Sequence, residues 1–394
     1  MTTYRQVLRK PELPAILIAH AVSLVGTVAA EVALSVLIYR RTSSPLLSSL
    51  TLACAFVPQA FSAVLLSGFA DRFPARRLLV TCDLLCAALV AGMVIQGTPI
   101  AVLLLLAAGT GVISPLFGGA RAATLADALD DQSWVLARSM LRVISQSALL
   151  LGFAVGGLAL AAIGPRPLLL VDALSFVGSA LLLRFGTVAR PARHGRRRNV
   201  REGLAGTRAA LGQAPLRRLL LMTWLPATFF SSVDALATPY ASDLHKGPAS
   251  IGLLLAAAAA GSILAELLGV RLRRKQRTHL VVPVAALTGF ALLGYAFHPG
   301  VAIAVMLNLV AALGGAIGPV LDGRLLARLP GELRGRLLSL QGGLLMGLQG
   351  AGIALAGALA EAFPPHAVLT AAGAADLLCV ALLLRDDQDR RRTW

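Results

Sequence analysis

The chain has 394 residues, of which 57% are hydrophobic and 14% are charged, and its formal net charge is +17. A soluble globular protein normally carries about 25% charged residues, so this composition excludes that class and indicates a membrane protein. The 38 glycines and 20 prolines are spread along the chain and only four cysteines are present, which excludes a disordered chain, a collagen-like repeat and a disulfide scaffold.

Twelve apolar runs follow one another along the chain. Crossing the hydrocarbon core of a bilayer takes about 20 helical residues, and runs of about this length are the main signal of a transmembrane helix. The first six runs cover residues 14–39, 46–70, 78–95, 100–120, 143–163 and 168–183, and the second six cover residues 219–242, 251–270, 280–297, 301–321, 337–360 and 367–384. None of them alternates apolar and polar residues as the strands of a membrane barrel do. The sequence therefore predicts an all-α membrane protein with twelve transmembrane helices.

The longest polar interruption lies between the sixth and seventh runs and is rich in arginine. The predicted organisation is an N-terminal six-helix bundle over residues 1–186, a basic cytoplasmic linker over 187–217 and a C-terminal six-helix bundle over 218–394. The linker could anchor the topology or bind anionic membrane lipids, and the sequence leaves both interpretations open.

Sidedness follows from the basic residues, because lysine and arginine beside short loops resist translocation. If both termini are cytoplasmic, the outward positions hold only Arg40, Arg41, Arg166 and Lys246. We therefore expect a multi-pass protein of the cell inner membrane with cytoplasmic N- and C-termini. This distribution also explains the positive net charge, so no nucleic-acid partner is predicted. The expected state is a monomer.

An internal repeat relates the two halves. A single offset of 203 residues places Glu31 over Asp234 and Arg121 over Arg324. Many transporters are built from repeated halves, with the substrate site near the bilayer midplane between them. The repeat predicts two pseudo-symmetric bundles around a central cavity, which we expect to be lined by the first and fourth helices of each half.

The turn after the second predicted helix reads SGFADRFPARRLL over residues 67–79. It resembles the motif between helices two and three of the major facilitator superfamily, with Asp71, Arg72, Arg76 and Arg77 on its acidic and basic positions. Three further segments resemble the multidrug exporter branch that includes macrolide efflux pumps and the enterobactin exporter: GGARAATLADAL at 118–129, GGLALAAIGPRPLLLVDALSF at 156–176 and LPGELRGRLLSL at 329–340. The resemblance covers nearly the whole chain and implies the fold of that superfamily.

The same resemblance implies a gate. By this resemblance, Asp71 and Arg72 form a latch that closes the inner side of the transporter when its outer side opens. A carboxylate at a helix end can accept hydrogen bonds from the free amides at the start of another helix, here the eleventh near residues 335–338. The alternative is a plain topology determinant. The predicted gating residues are Asp71, Arg72, Arg76, Arg77, Arg121 and Arg324.

Two carboxylates lie inside predicted spans at matching depths. Glu31 is in the first helix and Asp234 is in the seventh. A charged carboxylate at the middle of a transmembrane helix costs about 2.5 to 3.5 kcal/mol on insertion scales, so its presence needs a reason. The hypothesis is that both face the central cavity and either exchange protons or hold a cationic substrate. The alternative is that each fixes helix packing through hydrogen bonds.

Small residues and prolines within the spans suggest moving helices. Gly152, Gly156 and Gly157 on the fifth helix allow close backbone approach. Pro115 and Pro319 lie in the fourth and tenth helices at nearly repeat-related points, where they are candidate gating kinks.

Catalytic signatures are absent from the sequence. It contains no phosphate-binding P-loop, no HExxH motif and no GxSxG motif, so no enzymatic activity, catalytic residue, metal or cofactor is predicted. The predicted function is proton-driven efflux of hydrophobic or cationic small molecules by alternating access. The alternatives are an uptake or facilitated-diffusion carrier of the same fold and an intramembrane enzyme acting on a lipid carrier.

Overall fold

The computed structural model describes residues 12–65, 73–129, 131–190, 212, 214–271, 281–317, 321 and 331–392. These residues form helices joined by short turns, and no strand occurs among them. The first half contains α1 (Leu13–Thr42), α2 (Pro45–Leu65), α3 (Ala75–Val94), α4 (Ile100–Ala128), α5 (Asp131–Ile163) and α6 (Pro165–Gly186).

The second half contains α7 (Ala214–Phe230), α8 (Ser232–Asp243), α9 (Pro248–Arg271), α10 (Val281–Leu293), α11 (Val301–Leu313), α12 (Gly331–Leu359) and α13 (Pro365–Arg392). A single 3₁₀ turn follows α10 at Gly294–Phe297, and another follows α11 at Gly314–Ile317.

Ten segments of the described chain are long and apolar enough to cross a membrane, and two shorter apolar helices, Ala286–Phe297 and Val301–Ala316, accompany them. The seventh of these spans consists of α7 and α8, which meet at Ser231, whereas the sequence predicted one unbroken helix. The hydroxyls of Ser231 and Ser232 donate to the carbonyls of Thr228 and Phe229 at this joint. Such side-chain bonds compete with the backbone pattern of a helix.

Prolines begin several helices at one end of the bundle. Pro45, Pro165, Pro248 and Pro365 are the first residues of α2, α6, α9 and α13. The first turn of a helix leaves its N–H groups without intrahelical partners, so the missing N–H of proline costs nothing there. We call this end the opposite face; it carries the turns at 43–44, 95–99, 164, 244–247, 298–300 and 360–364. The other end, where α1 begins and α13 ends, is the terminal face.

At the terminal face, Glu12 ties the start of α1 to the segment after α6. Its carboxylate accepts two hydrogen bonds from Arg190, at 2.8 and 2.5 Å, and one from the N–H of Val188 at 3.2 Å. The Glu12 side chain is 8% exposed. The predicted linker boundaries at 187 and 217 stay a prediction, because residues 191–211 lie outside the described part of the chain.

The two halves contact each other through α2 against α12 and α5 against α9. At the second contact Gly157 faces Gly252. A Cβ atom built on Gly252 would lie 2.5 Å from the Phe153 oxygen and 2.7 Å from the Gly157 Cα. Only glycine fits at this position, and the α5 and α9 backbones therefore touch near the opposite face.

Candidate functional site

A cavity of about 400 Å³ lies between the two halves. Most of its lining side chains are apolar, including Phe56, Phe153 and Phe230, and the carboxylates that line it are Glu31 and Asp234. The sequence predicted lining by the first and fourth helices of each half. That expectation is wrong for α4, because none of its described residues lines this cavity, while α2, α5, α9 and α12 contribute.

Glu31 and Asp234 are both half-buried and face this shared space. One helical turn beyond them, Ser35 Oγ lies 3.0 Å from Thr238 Oγ1, and Ser48 Oγ lies 2.8 Å from Ser35 Oγ. Ser35 and Thr238 are 203 residues apart, which is the repeat offset, so repeat-related residues meet directly. These hydroxyls connect the two halves on the side of the carboxylates that is nearer the opposite face. The structure thus brings the predicted carboxylates together, and their role in proton exchange or cation binding stays a prediction.

A second cavity, of about 160 Å³, lies within the first half and shares Glu31 with the central one. It is lined by α4 together with α1, α2, α3 and α6. His20 lines this space, and its Nε2 lies 2.8 Å from Ser145 Oγ. The Ser145 hydroxyl also lies 2.9 Å from the Leu141 carbonyl oxygen.

Arg121 and Asp83 line the same second cavity. The Arg121 guanidinium lies 5.2 Å from the centroid of the Phe117 ring, which provides a cation–π contact. Arg121 Nη1 and Asp83 Oδ2 are both buried and have no hydrogen-bond partner among the described residues. Glu31 therefore lines both cavities, and the second one also contains His20, Asp83 and Arg121. The position of Asp83 within the predicted span 78–95 is the signal that could have marked it as a cavity residue.

Half of the predicted gate cannot be placed, since Asp71, Arg72 and Arg324 lie outside the described residues, as does Pro319. Arg76 donates a hydrogen bond to the carbonyl of Arg184, in the last turn of α6. A cation there interacts favourably with the negative end of the helix dipole. Arg77 is exposed. The gating role of all six residues, including Arg121, stays a prediction.

The predicted packing residues of α5 contact two neighbouring helices. A Cβ on Gly152 would lie 2.7 Å from Val28 Cβ, and one on Gly156 would lie 2.9 Å from Ala29 Cα. Gly152 and Gly156 thus face α1, while Gly157 faces α9. The α4 helix runs through Pro115 to Ala128, and the gating role of Pro115 stays a prediction.

Two contacts between the halves were not found from the sequence. Near the terminal face, Arg142 of α5 donates to Glu266 of α9. At the opposite face, Glu361 accepts hydrogen bonds from the Ser44 hydroxyl and from the Leu46 N–H, the latter at 3.0 Å. Glu361 thereby caps the positive end of α2 from the other half. Each partner is far away in sequence, so no local pattern marks either pair.

A family profile described as "Transmembrane secretion effector" (MFS_3) matches residues 4–389 of the chain. The multidrug efflux pump Tap of Mycobacterium tuberculosis is 26% identical over 387 residues, covering 93% of this chain and 91% of that protein. The multidrug efflux pump Tap of Mycolicibacterium fortuitum is 26% identical over 351 residues, covering 85% of this chain and 86% of that protein.

Solved transporters have the same fold. The nucleoside transporter NupG gives a TM-score of 0.76 at 13% identity, covering 95% of this chain and 99% of that chain. A bacterial homologue of the human lysosomal transporter Spinster, in an inward-facing and occupied conformation, gives a TM-score of 0.72 at 15% identity, covering 98% of this chain and 95% of that chain. These similarities show the fold alone. The predicted all-α fold with twelve transmembrane helices is confirmed.

Proposed function

We propose that this chain, which belongs to the transmembrane secretion effector family (MFS_3) of the major facilitator superfamily, exports hydrophobic or cationic small molecules by alternating access. Family membership makes it a transporter rather than an enzyme. The observation that carries the proposal is the pair Glu31 and Asp234 in one mainly apolar cavity between the halves. The relatives named multidrug efflux pumps support export as the direction of transport.

The cavity suits an amphipathic cation. Sites for drug-sized ligands have volumes of about 300–1,000 Å³ and mainly apolar walls with a few polar groups. The central cavity has a volume of about 400 Å³, and Phe56, Phe153 and Phe230 form part of its wall. A cation leaving water for such a space needs a compensating negative charge, which an ionised Glu31 or Asp234 supplies. A cation seated over the face of one of these rings would also gain cation–π attraction.

Protons are the proposed coupling ion. A cation is favoured by an ionised carboxylate but not by a neutral one, so proton binding and cation binding at Glu31 and Asp234 exclude each other. This competition exchanges protons for substrate. A one-for-one exchange of a proton for a monovalent cation moves no net charge and is driven by the proton concentration gradient alone. If both carboxylates release a proton for each cation, one net elementary charge moves, and about 100 mV then adds about 2.3 kcal/mol, which corresponds to roughly fifty-fold accumulation.

The direction of opening follows from which end of the cavity is closed. The Ser35 and Thr238 hydroxyls and the Glu361 contact with Leu46 hold the halves together at the opposite face. We assign that face to the outside of the cell, because the basic residues of the sequence cluster at the terminal face. This structure then corresponds to a state closed to the outside. Alkaline phosphatase fused after the C-terminus should be inactive and fused within 298–300 should be active; the reverse result would overturn the assignment.

Everted membrane vesicles test the coupling. Vesicles containing the native chain should accumulate a fluorescent lipophilic cation, and an uncoupler should abolish the accumulation. Glu31→Gln and Asp234→Asn should remove most of the uncoupler-sensitive uptake. Asp376→Asn is the matched control, because Asp376 is a fully buried carboxylate of α13 that lines neither cavity.

Two results would overturn the proposal. Full activity in both the Glu31 and Asp234 variants would show that neither carboxylate couples transport. Loss of the cation from the vesicles instead of accumulation would identify an uptake carrier of the same fold. Variants that reach the membrane at native amounts but are inactive, beside an active Asp376 variant, would support the proposal.

A further inference from the structure

Three metal-ligating side chains meet at the opposite face of the second half. Asp243 ends α8, His298 lies in the turn before α11, and His366 lies in the first turn of α13. Their ligand atoms all lie within 4.8 Å of one another. None of the three lines the central cavity or the second cavity, so this cluster is separate from the proposed transport site.

The geometry within the cluster is close. His298 Nε2 lies 2.9 Å from Asp243 Oδ2. The imidazole centroids of His298 and His366 lie 4.5 Å apart, with an angle of 49° between the rings. His366 Nδ1 is buried and has no hydrogen-bond partner among the residues that the structure describes. Two imidazoles this close would repel each other if both were protonated, whereas a shared cation would draw both toward it.

Neighbouring residues hold His298 in place. Tyr240 Oη donates to the carbonyl of Pro299 at 2.5 Å, and the Tyr240 ring meets the His298 ring edge-on at a centroid distance of 6.0 Å. His298 has a φ of 46°, a left-handed conformation that residues other than glycine seldom adopt. The Tyr240 contacts keep the turn in this conformation and direct the imidazole toward Asp243 and His366.

We propose that Asp243, His298 and His366 form a binding site for a divalent transition-metal ion, with zinc as the preferred metal. Two imidazoles and one carboxylate are ligands that zinc favours, while magnesium and calcium favour oxygen alone. Zinc lies about 2.0–2.2 Å from such ligands, which places neighbouring ligand atoms about 3.3 Å apart in a tetrahedron. The His298 and Asp243 atoms are near that spacing, at 2.9 Å, and the ligand atom of His366 lies within 4.8 Å of both. Water fills the fourth position.

The bound ion would connect two helices and one turn. Its ligands come from the end of α8, the turn between α10 and α11, and the start of α13. Zinc would therefore join α8, α13 and the turn before α11 at the opposite face of the second half, and it would stabilise the folded chain, because a metal that binds only the folded state raises its stability.

Zinc titration of the purified full-length chain in detergent tests the site. The affinity tag must contain no histidine. Calorimetry should show one zinc ion bound per chain and no binding of magnesium or calcium. His298→Asn, His366→Ala and Asp243→Asn should each weaken zinc binding at least about tenfold, since even the loss of an outer-shell partner costs that much.

His245→Asn is the matched control. His245 lies on the same face, two residues after Asp243, and has a φ of 54°, close to that of His298. Asparagine tolerates this backbone conformation, so both asparagine variants should fold. The control should bind zinc as the native chain does. Equal zinc affinity in the control and the three ligand variants would overturn the proposal, as would the absence of saturable binding to the native chain.

Cobalt absorption needs no variant and remains informative if a variant fails to fold. The native chain loaded with Co²⁺ should show the intense visible bands of a four-coordinate site, and zinc should displace them. Weak bands of the hydrated six-coordinate ion alone would overturn the proposal. Neither outcome depends on whether the chain exports cations, so the metal site and the proposed function can fail separately.

Discussion

Adding one methyl group at Gly252 should prevent the close approach of α5 and α9. In the structure a Cβ at this position would lie 2.5 Å from the Phe153 oxygen, 2.7 Å from the Gly157 Cα and 3.0 Å from the Gly157 nitrogen. All three are backbone atoms of α5, so no side-chain rotation relieves the overlap. Carbon atoms in contact are about 3.5–4.0 Å apart, so Gly252→Ala requires the two helices to separate by about 1 Å.

The expected effect is a change in conformational equilibrium. Overpacking of a well-packed contact costs about 1–3 kcal/mol. In the proposed alternating-access cycle α5 and α9 separate there when the opposite face opens, so the cost would fall only on the conformation in which that face is closed. A free-energy difference of about 1–3 kcal/mol changes the ratio of the two conformations about 5- to 150-fold in favour of the open one. Alanine also stabilises a helix relative to glycine, but this gain is the same in both conformations.

Double electron–electron resonance spectroscopy between two spin labels measures the ratio of the two conformations. Labels at Ile95 and Phe297, which are 65% and 88% exposed, report the distance between the halves at the opposite face. The background replaces all four native cysteines with alanine. Gly178→Ala is the matched control, because a Cβ at that helical glycine meets no atom within 4 Å. Gly252→Ala should increase the long-distance population, and Gly178→Ala should not.

The reasoning would be refuted by an unchanged distance distribution in Gly252→Ala. It would also be refuted by an equal change in both variants, since the control adds the same methyl group without the contact. Export by Gly252→Ala should fall, because the cycle passes through a conformation that the variant disfavours.

Three further predictions concern single contacts. Burial alone would raise the pKa of Glu12, but the hydrogen bonds from Arg190 and Val188 hold that pKa below its ordinary value of 4.5. The ionised Glu12 carboxylate therefore stabilises the folded state above pH 4.5, and this stabilisation is lost as the pH falls through the lowered native pKa. Glu12→Gln should lower the free energy of unfolding by about 1–3 kcal/mol at neutral pH and by little in acid; equal losses at both pH values would contradict this. Glu266→Gln should cost under about 1 kcal/mol, because its partner Arg142 is 67% exposed, and high salt should remove the difference in thermal unfolding. Tyr240→Phe should cost about 1 kcal/mol in chemical unfolding through loss of the bond to Pro299, and an unchanged midpoint would contradict that role.

Local sequence properties were sufficient to predict the helices and to predict that one pair of site residues, Glu31 and Asp234, lies together. Apolar runs of spanning length depend only on neighbouring residues, and a fixed repeat offset requires only comparison of the chain with itself. That offset predicted that Glu31 and Asp234 share a cavity, and the contact between Ser35 and Thr238 follows the same register. The sequence did not predict the division of the seventh span at Ser231. The hydroxyl-bearing residues Thr228, Ser231 and Ser232 occur both in continuous helices and at helix interruptions, so they did not mark the joint.

Rotation of helices and pairing between distant segments could not be predicted. Thr110, Ser114 and Arg121 share one face of α4 and line the second cavity, but their spacing does not show whether that face meets the other half or the helices of its own half. The Glu361 contact with Leu46 joins residues 315 positions apart, and the His298 contact with Asp243 joins residues 55 positions apart. Such pairs depend on how the bundle packs, and spacing rules detect only ligands on one helix or in one short loop.

The walls of the central cavity come mostly from α7 to α12, with a smaller share from α1, α2 and α5. A cargo molecule would therefore stay attached to the C-terminal half while the N-terminal half tilts away from it. Inherited changes that broaden or narrow the range of compounds carried should then accumulate in the C-terminal half. Changes that uncouple transport from its energy source should instead accumulate around Glu31 and Asp234, which supply one carboxylate from each half.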